Sequence, residues 1–479
     1  MKALILGDNV FGTGNSLGSI GRSTGSHRIA TLLRKHNIET EVIDFLYEYQ
    51  PEEIISILDL YNPNDLKLVG FSASLTEYHD YKTTLIIDHI KIKFPSTKII
   101  VGGTNGFFKG ISKADLYLEG FVENAINDLV NFILDRPHSF PIEIFNSKNV
   151  VNCTKHYPLT DTANLETIYT PSDFISPHET LVIEFSRGCI FKCKFCDFPL
   201  IGKNKNDYLR SEESLYNEFL RNYTEHKVTR YIIADDTFND NELKIDQLVN
   251  VANRLPFKLE LMGFVRPDLM HSRKNSLDKM VGAGFKAMHF GIESFNPEAS
   301  KSIGKAFNGT KLKDYLKEIK NKHPGLFLHG SFIVGLPYED GESFSQGISW
   351  CNDSMLLDSW SIYNLTIPIN NGFSHNSYFS NNWMMYGYEK KAQSGSKIIW
   401  KNKHFDALSA RSFATKINLK YYPNKKTNPW AAFATSGLGY NVNDCLSSKI
   451  DLENSKGRFK EFINTYKLKK YQHIKEVNK

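Results

Sequence analysis

Three of the chain's six cysteines crowd into Ser186-Arg187-Gly188-Cys189-Ile190-Phe191-Lys192-Cys193-Lys194-Phe195-Cys196. The spacing is C-x3-C-x2-C, and soft thiolate donors gathered on one loop are most simply a metal site. The loop follows residues 181–185, Leu-Val-Ile-Glu-Phe, an apolar run of strand type. Two kinds of centre compete for it. A closed zinc site takes four protein ligands. No fourth cysteine or histidine stands at short spacing, and the nearest histidine before the motif is His178. A cubane iron–sulfur cluster normally takes four cysteines. Three thiolates leave one iron open, and an open iron can hold a substrate or cofactor. A zinc knuckle with a distant fourth ligand is the alternative.

Composition bounds the rest. At 479 residues the chain should hold two or three domains. Hydrophobic residues at 41% and charged residues at 23% describe an ordinary soluble protein. The net charge of +5 is small, and the lysines are scattered apart from a basic tail, so nucleic acid is not indicated. Residues 1–7 read as a first strand rather than a signal peptide, and no apolar run is long enough to span a membrane. Cys153, Cys351 and Cys445 are isolated and expected to be reduced. A cytoplasmic enzyme is the expectation.

The elements that must position the cysteines follow from periodicity. Residues 1–136 alternate strands (3–6, 41–45, 66–71, 98–101, 115–118) with helices (26–36, with Ser26 as cap, 51–60, 81–94, and one from 122). This predicts an α/β, Rossmann-like, doubly wound parallel sheet with ligands at the strand C-termini. Residues 137–180 carry five prolines and read as a linker. Across 181–370, strands at 181–186, 229–234, 258–264, 286–291, 326–334 and 358–365 predict a partial (βα)6 barrel, with chemistry at the C-terminal strand ends. Residues 371–479 read as an α-rich accessory region: a loop at 371–379, a helix at 407–421, and a tail at 456–479 that is a solvated helix or frayed end. Its aromatics, Trp383, Trp400 and Trp430 among them, are expected to be core. The glycine-rich 12–21 loop is a poor dinucleotide fingerprint, because Asp44 lies too far on. A phosphate-bearing tail on its amides is the better use.

The cysteine spacing, Phe195 inside the last Cys-x-x-Cys and the preceding strand resemble the radical S-adenosylmethionine (SAM) superfamily. The resemblance implies a 4Fe-4S cluster on Cys189, Cys193 and Cys196, with the SAM amino and carboxylate groups on the open iron. It extends through the barrel in order. Ala234-Asp235-Asp236-Thr237-Phe238 stands where the family has a Gly-Gly-Glu-like turn, so Asp235 and Asp236 are expected to receive the SAM ammonium. Arg266 would grip the SAM carboxylate, or else pair with Asp268 or Asp236. Glu293 and Ser294 fall in a segment that approaches the ribose, and Gly335 and Pro337 in the adenine-side turn. Further forward, Gly70-Phe71-Ser72-Ala73-Ser74-Leu75 and Gly102-Gly103-Thr104-Asn105 resemble the turns of a cobalamin-binding domain. There Ser72, Ser74, Leu75, Gly102 and Gly103 would accommodate the nucleotide tail. Residues 115–123 resemble that domain's last strand and acidic turn. Residues 8–12 lack the histidine that some such domains give to cobalt, so bound corrin would carry no protein ligand. The implied activity is reductive cleavage of SAM to a 5′-deoxyadenosyl radical, driven by an external low-potential donor such as a flavodoxin or ferredoxin. Cobalamin-dependent methyl transfer, a cobalamin-free rearrangement or oxidation, and a zinc-binding scaffold are the readings to separate.

Overall fold

The computed structural model describes residues 1–8, 18–73, 80–103, 111–145, 147–157, 162–196, 208–305, 307–369, 377–394 and 397–479. The first sheet comprises β1 (Lys2–Leu6), β2 (Glu39–Ile43), β3 (Leu66–Ala73), β4 (Lys98–Gly103), β5 (Leu116–Glu119), β6 (Glu143–Phe145) and β7 (Lys148–Asn152). Its order is β2-β1-β3-β4-β5-β7-β6, parallel except for β6. Ala3 to Leu6 are buried on both faces, as befits a parallel strand covered by helices on either side. The order reverses direction between β1 and β3, which opens a crevice at the strand C-termini.

The expected boundary at 136 moves. Residues 143–152 extend the sheet, with β7 pairing with β5. These strands are short and lie among prolines, so no periodicity announced them. The first helix also starts earlier than expected, at Thr24. Ser23 is its cap, and its Oγ accepts from Ser26 N.

The second sheet holds β8 (Thr180–Ile183), β9 (Arg230–Ile233), β10 (Glu260–Val265), β11 (Phe285–Glu293), β12 (Phe327–Val334) and β13 (Ser359–Asn364). They run in consecutive order, all parallel, and β13 does not pair with β8, so this is a partial barrel. The lumen floor is closed by the helix Pro429–Ser436. Its Ala432 and Phe433 pack on the inward residues Ile232, Met262, Ala287 and Phe327. Thr180 of β8 donates to Phe433 O at 2.7 Å, and Asn428 at the other end of the helix donates to Ser361 of β13.

The C-terminal region is less purely helical than expected. It contributes β14 (Ile367–Pro368), β15 (Glu389–Ser394) and β16 (Lys397–Lys401), an antiparallel sheet in the order β14-β16-β15. The helix at 407–421 is present as Ala407–Tyr421. The expected loop at 371–379 lies mostly outside the described residues, and Tyr378–Asn382 is a short helix. The tail is the helix Leu452–Val477, and it is neither frayed nor wholly solvated. Ile463, Tyr466 and Ile474 are buried against Phe45, Tyr49 and Ile57 of the first domain. A buried ionic knot joins the same parts. Arg22 pairs with Asp44 at 2.6 Å and Glu179 at 2.7 Å, while Tyr466 Oη accepts from Asp44 N. Among the described residues, no helix is long and apolar enough to cross a membrane.

Candidate active site

β8 ends at Ile183, three residues short of the expected strand, because the chain then turns to reach Asp235. Asp235 accepts from Phe185 N at 2.8 Å, Ser186 N at 3.2 Å and Ser186 Oγ at 2.6 Å. Lys244, on the helix Glu242–Arg254, pairs with Asp235 at 2.9 Å and with Asp240 at 2.7 Å, and all three side chains are fully buried. Asp235 thus anchors the cysteine loop to the loop after β9. This corrects the expectation that it receives a cofactor's ammonium, since its oxygens are already engaged. Breaking a buried pair on one side costs roughly 3–5 kcal/mol. We therefore expect Asp235→Asn to lower the melting temperature by several degrees and to reduce iron uptake, both measured on anaerobically reconstituted protein. Neither change would be expected of an acid that only binds ligand.

Beyond this anchor the three cysteines stand half-buried at the barrel mouth, whereas Cys153, Cys351 and Cys445 are buried elsewhere. Cys196 N donates to Cys193 O, closing a turn, and Lys194 N donates to Ile303 O. The Cys189 thiol donates to Thr237 Oγ1 at 3.6 Å, and Arg266 Nη1 lies 3.8 Å from Cys193 Sγ. Among the described residues, no three His, Cys, Asp or Glu side chains are gathered tightly enough to hold a single metal ion. Thiolates that cap separate irons of a cubane need not converge on one point. The donor set fits a three-cysteine cluster better than a zinc knuckle.

Around the thiols, the other expected residues separate into engaged and open groups. Asp236 is half-buried and makes no side-chain hydrogen bond among the described residues; burial and the neighbouring Asp235 push its carboxyl up to about 6. Arg266 makes the alternative pairing. Its fork is bidentate to Asp268 at 3.0 and 2.7 Å, and its plane lies 4.0 Å from the Phe191 ring centroid. Only Nη1 is turned to the cysteine loop. Glu293, at a left-handed φ of 67°, pairs with Lys305 at 2.7 Å. The same Lys305 sits 5.8 Å over Phe195, which packs on the barrel core. Ser294 donates to Glu339, whose carboxyl burial pushes up to about 7. Gly335 has φ 94°, and a Cβ there would overlap the indole of Trp400, so glycine is required. Its carbonyl accepts from Tyr388 Oη and Asn402 Nδ2, and Pro337 is buried beside it.

Sequence reasoning missed Lys244 and Lys305. Each reads as an ordinary lysine on a helix or loop, and only the fold aims it inward.

Glu339 gives a pH prediction. A carboxyl raised from 4.5 to about 7 is protonated in the folded chain while the unfolded chain has released its proton. Its contribution to stability is therefore lost as pH rises from about 4.5 to 7. Glu339→Gln should flatten that part of the stability–pH profile, measured by urea melts at several pH values.

The crevice at β1/β3 is a cavity of about 420 Å³. Its walls are apolar: Ile5, Ile29, Leu68, Ile100, Leu118 and Leu129. Gly70, Ser72, Gly102 and Gly103 line its sheet side, so three of the residues expected there converge. Ser74 and Leu75 lie outside the described residues, as do residues 9–17 with most of the glycine loop. The far wall belongs to the barrel: Val182, Glu184, Arg187 and Ala234. Arg187 clamps the two domains, pairing with Glu123 at 2.7 Å and Glu184 at 2.9 Å.

Residues 183–351 match the model of the radical SAM superfamily. This segment of the chain is a radical SAM domain. The match starts at the last residue of β8 and covers the cysteine loop, the Asp235 anchor and β9 to β12. An uncharacterized methyltransferase of Pyrococcus horikoshii is 23% identical over 439 residues, covering 86% of this chain and 90% of that one. The methyltransferase TsrM of Kitasatospora setae, solved with cobalamin and a 4Fe-4S cluster, superposes with a TM-score of 0.65 at 12% identity, over 97% of this chain and all of that one. The cobalamin-dependent SAM radical enzyme OxsB, solved with aqua-cobalamin, gives 0.62 at 14% identity, over 98% of this chain and 72% of that one. The shared architecture therefore runs past the radical SAM domain into both flanking regions.

Proposed function

We propose that this radical SAM enzyme is a cobalamin-dependent methyltransferase. The observation that carries this is the apolar, glycine-lined cavity at the β1/β3 crevice, whose far wall is the barrel's own β8 and β9 ends beside the cysteine loop. An added Cβ at Gly102 would meet no atom within 4 Å, so the sheet there leaves room for a flat group to lie against its backbone. When bound, the cluster supplies a low-potential electron for SAM cleavage, delivered by an external reductant, and the corrin supplies a methyl carrier.

The chain's own residues do the rest. Cys189, Cys193 and Cys196 hold the cluster. Asp235, Lys244 and Asp240 fix the loop that bears them. Asp236, the open carboxylate of its pair, accepts from the SAM amino group, and Arg266 Nη1 lies on the carboxylate side. Glu293 with Lys305 borders the ribose, and the Gly335–Pro337 turn the adenine. Ser72, Gly102 and Gly103 seat the nucleotide tail. An amino N–H is best accepted by the ionised acid, so SAM affinity should rise with pH through about 6. Asp236→Asn should weaken SAM binding roughly tenfold, the scale of one charge-assisted bond. It should also lose the pH dependence and melt as wild type does. Calorimetric titration with SAM at pH 5 to 8 checks this.

The function itself is tested by anaerobic reconstitution with iron, sulfide and hydroxocobalamin, followed by desalting. The reading requires one corrin per chain and transfer of labelled methyl from SAM. Retained iron with no corrin would instead leave cobalamin-free radical chemistry, with the first domain as a cap.

A further inference from the structure

The barrel's inward side chains stack in levels, and the registers define them. The floor is apolar: Ile232, Met262, Ala287 and Phe327 stand side by side on β9 to β12. Two residues further along, the level reads Phe264, His289, His329, Ser359. The next reads Gly291, Ser331, Ser361. A barrel interior ordinarily carries branched apolar side chains. Here one wall, over β11 to β13, is polar immediately above an apolar floor.

The wall is built but not closed. His289 Nε2 meets Ser331 Oγ at 2.6 Å, and His329 Nδ1 meets Ser359 Oγ at 2.7 Å. The second nitrogen of each ring, His289 Nδ1 and His329 Nε2, is buried with no hydrogen-bond partner among the described residues. The residues are 6% and 0% exposed. Leaving buried polar atoms unpaired is costly, and two in one level call for an explanation. The rings lie 4.5 Å apart, Phe264 lies 4.4 Å from His289, and Trp430 lies 5.2 Å from Phe264. Across the lumen, Ala234 follows Ile233, which pairs with Gly263, so it stands level with Phe264. Ala234 and Val182 line the 420 Å³ cavity. Ala234, which lines that cavity, and the polar wall therefore belong to one level of the barrel, below the strand ends that carry the cysteine loop and Glu293.

The chemistry of a matching ligand follows. Burial and the nearby Lys305 push His289 down to about 3, and burial, His289 and Lys425 push His329 well below its ordinary value. Both rings are neutral at physiological pH. Phe264, His289, His329 and Ser359 include no carboxylate, so a cation would find no counter-charge in this level. An anion would find the nearby ammoniums engaged, Lys305 by Glu293 and Gly291 O, and Lys425 by Trp360 O and Asn418. A hydrocarbon would leave both nitrogens orphaned.

We propose that His289 and His329 form a substrate-recognition wall that takes a flat, uncharged, heteroatom-bearing ring or amide. The edge of this group meets His289 Nδ1 and His329 Nε2, and its face lies along Phe264 and Trp430. The wall rests on the radical SAM reading only in that the reading places cleavage at the strand ends above it. Each serine hydroxyl can donate or accept, so each orphan nitrogen is free to take either role.

Three probes of similar size decide it: 2-pyridone, benzoate and toluene, titrated against the reconstituted protein by saturation-transfer NMR. The expected result is 2-pyridone at least tenfold tighter than either other probe. His289→Leu and His329→Leu should each cost at least fivefold in 2-pyridone affinity without weakening toluene, and His329→Gln should recover part of the loss. Equal affinity for the three probes in the wild type would mean that water alone satisfies the nitrogens, and would overturn the proposal. So would leucine variants that bind 2-pyridone as the wild type does. If the leucine variants fail to fold, the wild-type comparison stands by itself. Selective 2-pyridone binding by a protein that takes up neither iron nor corrin would refute the methyltransferase reading and spare the wall. A cluster-loaded, SAM-cleaving protein without selectivity would refute the wall alone.

Discussion

Alanine at Cys189, Cys193 or Cys196 is expected to abolish the intact cluster and to cut reductive SAM cleavage by roughly 10³-fold or more, the scale on which loss of a catalytic element registers. Iron and sulfide analysis with quantitation of 5′-deoxyadenosine checks it. No other cysteine is placed to substitute. Cys153 sits behind β7, Cys351 on the outer side of the barrel and Cys445 under its floor, all buried. Burial pushes the thiols of Cys153 and Cys445 up to about 12, far from the thiolate form that binds iron. Cys351→Ser is the matched control and should keep a full complement of iron. Full iron in any of the three motif variants would mean that the ligands are misassigned.

Leucine at Gly102 is expected to lower corrin retention by roughly 100-fold, since the wall must then exclude a group that lies against its backbone. The choice of glycine matters. Gly102 has no positive φ, and nothing stands within 4 Å of its would-be Cβ, so the larger side chain enters the cavity without disturbing the sheet. Gly103, at φ 147°, is in a region that L side chains rarely adopt. A substitution there would add roughly 1–3 kcal/mol of strain and confuse unfolding with blockade. Absorbance of the desalted protein reports the corrin, and a thermal melt reports the fold. A Gly102→Leu protein that holds corrin as tightly as the wild type would move the cofactor elsewhere.

The strand-end motifs were legible because parallel α/β sheets put chemistry at one edge. A cysteine triplet, a Gly-Gly pair or an Asp-Asp pair after a strand therefore already has an address. What the motifs could not reveal was occupancy. Asp235 and Asp236 are neighbours of identical type, and only Lys244, buried under the loop, decides that the first is an anchor and the second is open. Arg266 pairs with an acid two residues on, a local contact that competed with any ligand from the start. The polar wall was hidden for a different reason. Strands buried on both faces lose the alternation that separates inside from outside. His289-Phe290-Gly291 and His329-Gly330-Ser331 therefore do not announce which residues face the lumen. The short strands at 143–152 and the packing of the last helix depend on partners more than 25 residues away in sequence, beyond the reach of any local pattern.

The helix Pro429–Ser436 carries a consequence in time. It floors the barrel and also touches the first domain, with Ala434 O accepting from Ile20 N and Thr435 donating to Gly18 O. Yet it is synthesised after every strand of both large sheets. Domains ordinarily fold in the order in which they emerge. Here the floor of one, with Ala432 and Phe433, and part of the core of the other, with Leu438, Ile463, Tyr466 and Ile474, come from chain that emerges later. Until then Ile232, Met262, Ala287 and Phe327 lack the cover that Ala432 and Phe433 give them.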